Sequence, residues 1–270
     1  MQSVLFEAQS DDSVLIADLW ECGTTGILEE GGRLRAFFED AADLTGLILR
    51  YSPAEIRREP APDLTHFVRE NWDPILVGNK FFIAPSWITA ETPEGRYRLN
   101  IDATTAFGTG RHESTQLMLQ ILEREIHPGQ TVLDVGCGSG ILSLAASLLG
   151  ADQVIACDIH QDAITSVAKD LKIPVFAGSA DAVRDQTADL VLSNISARVN
   201  DAIASDLKRV TTPSGLIVLA GFVRDNPPKR FKPLAVREQG DWLCWICRPA
   251  DVLPSDIAPS EPQSHSQQWW

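Results

Sequence analysis

A glycine-rich turn between a predicted strand and a predicted helix carries the clearest chemical signal in this chain. The apolar run Val132–Val135, which contains Asp134, leads into the turn, and a second apolar stretch begins at Ile141. Glycines in such a βα turn let a ligand approach the backbone, and the N-terminus of the following helix favours an anion. The pattern predicts a cofactor site at Asp134, Gly136, Cys137, Gly138 and Gly140.

Two features of this turn discriminate between cofactors. A dinucleotide-binding turn of the form G-x-G-x-x-G requires a small residue at position 141, where this chain has Ile141. Asp134 lies two residues before the first glycine, where it would repel a diphosphate but attract the ammonium group of S-adenosylmethionine. The carboxylate of that cofactor can take the helix N-terminus. The charges therefore favour S-adenosylmethionine over a nicotinamide dinucleotide.

A second acid closes the next apolar run. Asp158 ends Val154–Asp158 and lies 22 residues after Gly136. An acidic side chain at this point of a βαβ unit accepts hydrogen bonds from both ribose hydroxyls of a nucleoside. The alternative is that Asp158 caps the helix that passes through Ala163. We include Asp158 and the following Ile159 in the predicted cofactor site.

Polar residues also follow the next two predicted strands. Asp181 lies where an adenine amino group is often met, although an ordinary solvated acid is the alternative interpretation. Asn194 ends the apolar run from Leu190, over the ligand crevice of a parallel sheet. Its amide could bind the cofactor or hold an acceptor nitrogen, or it could cap a helix over residues 198–210. We predict Asn194 as both a cofactor contact and the catalytic residue.

A polar loop before the glycine turn completes the candidate site. Residues 106–115 include Phe107, Gly108 and Thr115 and lead into a helix with an apolar face. The glycines allow a flexible or close-packed loop, so this segment is a candidate lid. His112 is interpreted as structural, because a lone histidine is more often a packing residue than a catalytic one.

The elements around these residues indicate an α/β protein with a small additional domain. Gly26–Phe38 reads as a hairpin around Gly31 and Gly32, and residues 52–62 are rich in Pro and charge, as in a linker. From residue 101 short apolar runs alternate with helical patterns, which predicts a doubly wound parallel sheet. We assign 1–70 to a small α+β domain with its linker, 71–250 to the cofactor-binding domain and 251–270 to a disordered tail.

Composition limits the partners and the compartment. The net charge of −14 opposes binding to nucleic acid through a broad basic surface, whereas it suits a basic protein or serves solubility alone. Five cysteines form no disulfide framework, no targeting signal or membrane-spanning run is visible, and we expect a cytoplasmic protein. The pair Cys244 and Cys247 lacks the further ligands of a zinc site and is interpreted as buried strand, so no metal is predicted.

Two motifs together resemble those of a known family. Ala106-Phe107-Gly108-Thr109-Gly110-x-His112-x-x-Thr115, followed by Leu133-Asp134-Val135-Gly136-Cys137-Gly138-Ser139-Gly140-Ile141-Leu142, is similar to the bacterial methyltransferases that act on ribosomal protein L11. The loop joined to the turn is fairly specific, whereas the turn alone marks only the class I methyltransferase superfamily. The resemblance covers most of the chain.

The resemblance implies a fold and a set of contacts. It implies a seven-stranded Rossmann-like methyltransferase sheet whose last strand is antiparallel, with Trp242–Cys247 as one of the closing strands. It also implies that the N-terminal unit, with Gly26–Glu30, recognises the substrate, and it assigns cofactor contacts to Thr115, Gly136, Asp158 and Asn194. The chain departs from the family pattern where Asp102-Ala103-Thr104 replaces Asp-Pro-Gly, Glu113-Ser114 replaces Pro-Thr and Ser193-Asn194-Ile195-Ser196 replaces an Ala-Asn-Ile-Leu type sequence.

The resulting hypothesis is methyl transfer from S-adenosylmethionine to an amino group, of lysine or of an N-terminus, in a ribosomal or similar basic protein. No dedicated general base is evident. Two alternatives stay open: a small-molecule methyltransferase on the same fold, and a non-catalytic S-adenosylmethionine-binding assembly factor. A nucleic-acid methyltransferase is disfavoured, because Ile195, Ser196 and Ala197 supply no aromatic residue after Asn194.

Overall fold

The computed structural model describes residues 1–8, 12–51, 54–58, 72–100, 110–171 and 173–254. The chain divides into two compact units, the first over residues 1–63 and the second over residues 64–257. Phe107 and Gly108 of the predicted site lie outside the described residues, and so do residues 255–270 of the tail predicted to be disordered over 251–270. The start of that tail is ordered, because Val252 is buried and forms a bridge with Phe231.

The described residues of the first unit form a four-stranded antiparallel sheet with two helices. Its elements are β1 (Gln2–Phe6), α1 (Ser13–Glu21), β2 (Gly26–Glu30), β3 (Arg33–Phe38), α2 (Thr45–Arg50) and β4 (Ala54–Arg58). The strand order is β2-β3-β1-β4, the split βαββαβ arrangement. Alternate residues of β1 and β3 bury one face against the helices, in the cluster Val4, Phe6, Leu15, Leu19, Leu34, Ala36, Phe38, Leu44 and Leu47.

The hairpin predicted in this unit is confirmed, and part of the predicted linker is wrong. Gly31 and Gly32 have φ angles of 60° and 76°, as a tight two-residue hairpin turn requires. Within the stretch assigned to a linker, Ala54–Arg58 is an edge strand whose Ile56 pairs with Val4. Charged residues such as Glu55 and Arg57 are typical of sheet edges, because charges there discourage pairing with another chain.

The second unit begins with a small sheet. Strands β5 (Ile75–Val77), β6 (Phe81–Ile83) and β7 (Tyr97–Leu99) lie side by side in that order, with β6 antiparallel to β5 and parallel to β7. Glu123 fixes the turn between β5 and β6, because its carboxylate accepts hydrogen bonds from the N–H groups of Asn79 and Lys80. The segment before residue 100 thus contributes three short strands to the second unit.

The main sheet has seven strands and confirms the predicted fold class. They are β8 (Thr131–Val135), β9 (Gln153–Asp158), β10 (Val175–Ala177), β11 (Ala188–Asn194), β12 (Thr211–Val223), β13 (Ala235–Gln239) and β14 (Trp242–Cys247), in the order β10-β9-β8-β11-β12-β14-β13. The first five in that order are mutually parallel, and β14 runs antiparallel to both of its neighbours. The predicted antiparallel closing strand at Trp242–Cys247 is therefore present.

Helices cover both faces of this sheet. They are α3 (Glu113–Glu125), α4 (Ile141–Leu148), α5 (Gln161–Asp170), α6 (Ala197–Ala202) and α7 (Ala204–Val210), with short 3₁₀ turns at Ala180–Ala182 and Pro249–Asp251. One face, including Leu133, Val135 and Leu219, is packed by α6 and α7. On α3, α4 and α5, the apolar residues Met118, Leu122, Ala145 and Val167 are also buried. A parallel sheet whose faces are covered in this way has its ligand crevice at the carboxyl ends of its strands.

The helix predicted over 198–210 is two helices. It is interrupted at Ile203, where φ is −95° and ψ is 7°. At this break the carboxylate of Asp201 accepts hydrogen bonds from the N–H groups of Lys229 and Arg230, which fixes the end of α6 to the chain that follows β12. A tertiary contact of this kind has no local signal in the sequence.

The cysteine pair is part of the core, as expected. Cys244 and Cys247 are both fully buried on β14, and because side chains alternate along a strand they lie on opposite faces of the sheet. Within the described chain all five cysteines are free thiols, and no group of three or more His, Cys, Asp or Glu is arranged to hold a metal. None of the described helices has the length and apolar character needed to cross a membrane.

Candidate functional site

The glycine turn between β8 and α4 is shaped by three left-handed residues. The φ angles of Gly136, Gly138 and Gly140 are 72°, 52° and 75°. A Cβ on Gly136 would lie 2.7 Å from Ile195 Cγ2, and one on Gly140 would lie 2.7 Å from a methyl carbon of Leu171. Both the backbone conformation and the close packing therefore require glycine at these positions.

Hydrogen bonds within the protein preform this turn. The N–H groups of Gly136 and Cys137 donate to the Cys157 carbonyl at 2.8 and 3.1 Å, and Gly140 N–H donates to the Cys137 carbonyl at 2.8 Å. The Cys137 side chain packs with Ala156 and Val167, away from solvent. The N-cap of α4 is Gly140, which has no side chain to cap the helix, and the Asp134 carboxyl group accepts a hydrogen bond from the backbone N–H of Ser143 in the first turn. A ligand anion would meet the remaining N–H groups of the first turn of α4.

Asp158 joins the end of β9 to the glycine turn. Its Oδ2 accepts from Gly138 N–H at 2.9 Å and its Oδ1 accepts from His160 N–H at 2.9 Å. The N-cap of α5 is His160, so Asp158 is not the cap that the sequence offered as an alternative. A carboxylate oxygen has about two acceptor sites, so each oxygen of Asp158 keeps one for a further donor. Two ribose hydroxyls match that remaining capacity.

Asp134 lies beneath the turn and is almost completely buried. Ser143 Oγ, on α4, donates a hydrogen bond to Asp134 Oδ2 at 2.5 Å. Burial raises the pKa of this carboxyl group to about 6. The hydrogen bond from Ser143 opposes this rise, and the nearby negative charge of Asp158 adds to it. A cation bound at the turn would favour the ionised form of Asp134. The two acids therefore make the floor of this site negative.

Asn194 and Thr115 bring a third part of the predicted site together. Asn194 ends β11, beside Ala220 of β12, and its Nδ2 donates to Thr115 Oγ1 on α3 at 3.1 Å. The N-cap of α6 is Ser196, so Asn194 does not cap that helix. Among the described residues Asn194 Oδ1 accepts no hydrogen bond, which leaves it able to accept one from a bound N–H group.

The remaining predicted contacts lie at the same edge of the sheet. Ile159 is half-buried directly after β9, and Asp181 is exposed in the 3₁₀ turn after β10. Gly110 is the first described residue of the candidate lid, and an added Cβ there would lie 2.6 Å from Ile141 Cδ1. The lid segment is therefore packed against the first residue of α4 at Gly110.

His112 has a structural role, in line with its interpretation from sequence. It is the N-cap of α3, and its Nδ1 accepts a hydrogen bond from Ser114 N–H at 3.3 Å. Its ring meets Trp242 edge-on, with 4.2 Å between the ring centroids. Burial lowers the pKa of the imidazole, so the neutral form that can accept this hydrogen bond is favoured.

Sequence reasoning missed several residues that support the site. Ser143 bonds Asp134, and the buried pair Ser193 and Asn200 lies beside Asn194. These are small polar residues on elements whose general pattern is apolar, and their partners are seven or nine positions away in the chain. The sequence signal for these residues was a polar residue within an apolar run. That signal does not identify the hydrogen-bond partner, because the partner depends on the tertiary fold.

The chain matches the family model described as "Ribosomal protein L11 methyltransferase (PrmA)" over residues 20–249. The chain belongs to this family. The resemblance read from the two motifs is thereby confirmed, and the match includes every residue of the predicted site.

Relatives and a solved structure agree with this membership. The chain is 34% identical over 200 residues to a ribosomal protein L11 methyltransferase of Burkholderia vietnamiensis, and 34% identical over 214 residues to one of Burkholderia pseudomallei. The first alignment covers 70% of this chain and 66% of the relative, and the second covers 76% and 71%. The chain therefore spans slightly less than two thirds of the first relative's length.

The crystal structure of a ribosomal protein L11 methylase from Lactobacillus delbrueckii subsp. bulgaricus is also similar. Its TM-score is 0.61 at 27% sequence identity, and the alignment covers 66% of this chain and 99% of the other. The two chains therefore share a fold over the aligned residues.

Proposed function

We propose that this protein is an S-adenosylmethionine-dependent methyltransferase that modifies an amino group of a ribosomal protein. The observation that carries the proposal is the placement of two acids, Asp134 and Asp158, on either side of a preformed glycine turn at the carboxyl edge of the sheet. Membership of a methyltransferase family supports the same activity.

The residues present fit this cofactor. Asp158 keeps one acceptor site on each oxygen for the ribose hydroxyls, and the N-terminus of α4, whose N-cap is Gly140, would suit the carboxylate of the methionine part. Asp134, buried at the turn, would offer its carboxylate to the ammonium group of the bound cofactor. Phe107, Gly108, Ile159 and Asp181 complete the proposed cofactor contacts, with the adenine near Asp181.

When bound, the cofactor would supply an electrophilic sulfonium methyl group. An amine that has first lost its proton to solvent would attack with its lone pair, the new C–N bond forming as the C–S bond breaks and S-adenosylhomocysteine leaving. Exposing the neutral form of a lysine at pH 7 costs about 4 to 5 kcal/mol, because its ordinary pKa is near 10.4. Desolvation of the ammonium group at the site lowers this cost.

Positioning supplies much of the remaining rate. Asn194, with its Nδ2 held by Thr115, can orient the attacking amine by accepting one of its N–H groups at Oδ1. Such an amide needs no change of charge during the reaction. This is the catalytic role that we propose for Asn194.

Charge supports a basic protein as the substrate. The net charge of the chain is −14, and residues 1–63 contain 13 Asp and Glu against five Arg. We propose that this N-terminal unit recognises the substrate, because an acidic surface attracts a lysine-rich protein and speeds its encounter. Ribosomal protein L11 is the first candidate, since the matched relatives are named for it. Such a substrate and five free cysteines both suit the cytoplasm.

The cofactor site is tested by Asp158→Ala and a matched control, Asp189→Ala. Asp189 also accepts a backbone hydrogen bond, from Thr131 N–H, but at the opposite edge of the same sheet. We expect Asp158→Ala to lower the affinity for S-adenosylhomocysteine at least about a hundredfold, as two lost charge-assisted hydrogen bonds would. Calorimetry showing equal affinities in the two variants would refute the site.

The substrate is tested with methyl-labelled cofactor and purified ribosomal protein L11, followed by a whole ribosomal extract. Label in L11 supports the proposal in full, and label in another basic protein corrects only the substrate. Label in a small molecule, or tight cofactor binding without transfer, contradicts the proposed protein methylation.

A further inference from the structure

Asn200, on α6, connects the two residues on either side of Asn194. Ser193 Oγ donates to Asn200 Oδ1 at 2.7 Å, and Asn200 Nδ2 donates to the Ile195 carbonyl at 2.8 Å. Both Ser193 and Asn200 have no exposed surface. One buried amide therefore fixes the side chain before Asn194 and the peptide group after it. We call Ser193, Ile195 and Asn200 the Asn200 bracket.

Ile195 is confined from two further directions. A Cβ on Gly221, at the end of β12, would lie 2.6 Å from the Ile195 carbonyl oxygen. A Cβ on Gly136, in the cofactor turn, would lie 2.7 Å from Ile195 Cγ2. The residue after Asn194 is thus packed between the cofactor turn and the neighbouring strand. A shift of Ile195 would therefore displace atoms of both the cofactor turn and β12.

The bracket places two polar side chains in the core. Ser193 is a hydroxyl residue at the end of the apolar run Leu190–Leu192, and both it and Asn200 are fully buried. Burying a hydroxyl and an amide costs free energy that their mutual hydrogen bonds largely offset, and an apolar pair of the same shape can be equally stable. Stability alone does not explain the pair, whereas a fixed geometry does.

We propose that Asn200 is a positioning residue for methyl transfer, which it serves by holding Asn194 through Ser193 and Ile195. This inference rests on the proposed function. The bracket keeps the Asn194 amide at hydrogen-bond distance from Thr115, 3.1 Å, and so fixes the orientation of the Oδ1 atom that would hold the acceptor amine. Displacement of a reacting group by about 1 Å can cost about a hundredfold in rate.

The test compares Asn200→Leu with Thr211→Val. Thr211 Oγ1 donates to the buried Leu207 carbonyl at 2.6 Å, so its replacement also removes a buried hydrogen bond, but at the far end of β12. We expect Asn200→Leu to lower kcat roughly tenfold to a hundredfold, with less than about a threefold change in cofactor affinity. Thr211→Val should lower the melting temperature and leave kcat of the folded enzyme within about twofold.

Ser193→Ala provides a milder version should Asn200→Leu fold poorly. It removes one of the two bonds and keeps Asn200 bonded to Ile195, so kcat should fall by about threefold to tenfold, between wild type and Asn200→Leu. A kcat in either bracket variant equal to that of Thr211→Val, at the same folded fraction, would overturn the positioning role.

A second measurement separates failure of this inference from failure of the proposed function. Amide hydrogen exchange in the peptide over residues 194–198 reports local opening whether or not a substrate is methylated. We expect exchange there to rise at least about tenfold in Asn200→Leu and to stay at the wild-type rate in Thr211→Val. An unchanged rate in Asn200→Leu overturns the bracket even if the wild type is active. A raised rate without any wild-type transfer supports the bracket and contradicts the proposed function.

Discussion

Thr115 and Asn194 are 79 positions apart in the sequence, and the side chain of one donates directly to the side chain of the other at 3.1 Å. This contact joins the first turn of α3 to the carboxyl end of β11. It brings Thr115, the last residue of the candidate lid, to the residue proposed to hold the acceptor. The first of the two motifs that resemble the family thus contributes Thr115 to the same site as Asn194.

Thr115→Val tests this connection. The substitution keeps the shape of the buried side chain but leaves Asn194 Nδ2 without its acceptor, which costs about 1 to 3 kcal/mol where the group stays buried. We expect kcat to fall by about tenfold or more. Thr165→Val, the same change at an exposed position of α5, should leave kcat unchanged. A double-mutant cycle of Thr115→Val and Asn194→Ala should show a coupling of about 0.5 to 3 kcal/mol in the activation free energy calculated from kcat. Strictly additive effects of the two substitutions would rule out the contact.

Adding a methyl group in the glycine turn should weaken cofactor binding. Gly136→Ala places a Cβ 2.7 Å from Ile195 Cγ2 at a φ of 72°. Gly129→Ala is a matched control, because φ there is 88° and nothing lies within 4 Å of the added carbon. Both should lose about 1 kcal/mol or more from the left-handed backbone. Only Gly136→Ala should also weaken S-adenosylhomocysteine binding, by at least about tenfold; calorimetric titration of both variants measures the difference.

Local patterns in the sequence predicted the parts of this site that depend on local backbone. The run from Val132 to Ile141 fixed the strand, turn and helix, because glycines and an apolar alternation specify them without distant partners. Asp158 followed from its distance to Gly136. The family resemblance added Thr115 and the antiparallel closing strand.

The rest depends on contacts that no local pattern encodes. Strand β4 was missed because an edge strand with Glu55 and Arg57 has the composition of a linker. Asn200 was missed because its partners are set by the path of the chain after β11, and the interruption of the following helix depends on bonds from Lys229 and Arg230 to Asp201.

Asp134 predicts a pH dependence of cofactor binding. Its pKa in the free protein is about 6, and a bound cation favours the carboxylate form. Affinity for S-adenosylmethionine should therefore fall as the pH is lowered from 7 through 6, by up to tenfold for each pH unit below the pKa. Asp134→Asn should bind more weakly at pH 7 and lose most of this dependence. A wild-type affinity that stays constant from pH 7 to pH 5 would contradict the assignment.

Low pH should weaken cofactor binding through Asp134, but the same carboxyl group should make the folded protein more stable at low pH. Its folded pKa of about 6 is above the ordinary value of 3.8, so the folded state holds a proton that the unfolded state has lost between these values. This group's contribution to the free energy of unfolding is therefore greatest below pH 3.8 and decreases by about 3 kcal/mol in total as the pH rises to above 6, about 2 kcal/mol of it between pH 4 and pH 6. The difference in unfolding free energy between wild type and Asp134→Asn, measured in urea at pH 4, 5 and 6.5, should show this trend without cofactor.

His112 caps the start of α3 and should make the stability of the protein depend on pH. Its neutral Nδ1 accepts from Ser114 N–H, and burial holds the pKa of the imidazole below its ordinary value of 6.5, although the charge of Glu113 opposes this. The folded state therefore binds the proton less well than the unfolded state. The stability that this cap contributes is fully present above pH 6.5 and is lost as the pH falls through the folded pKa.

Substitutions distinguish a capping role for His112 from proton transfer. His112→Asn keeps an N-cap acceptor, so it should retain stability at pH 7 to within about 1 kcal/mol, whereas His112→Leu should lose about 1 to 2 kcal/mol. Both variants should lose the histidine-dependent change in melting temperature between pH 5 and pH 7. If the ring itself accepted the amine proton during transfer, His112→Asn would be as inactive as His112→Leu. We expect instead that it stays within about threefold of wild-type kcat, because the cap positions Thr115 and takes no part in the chemistry.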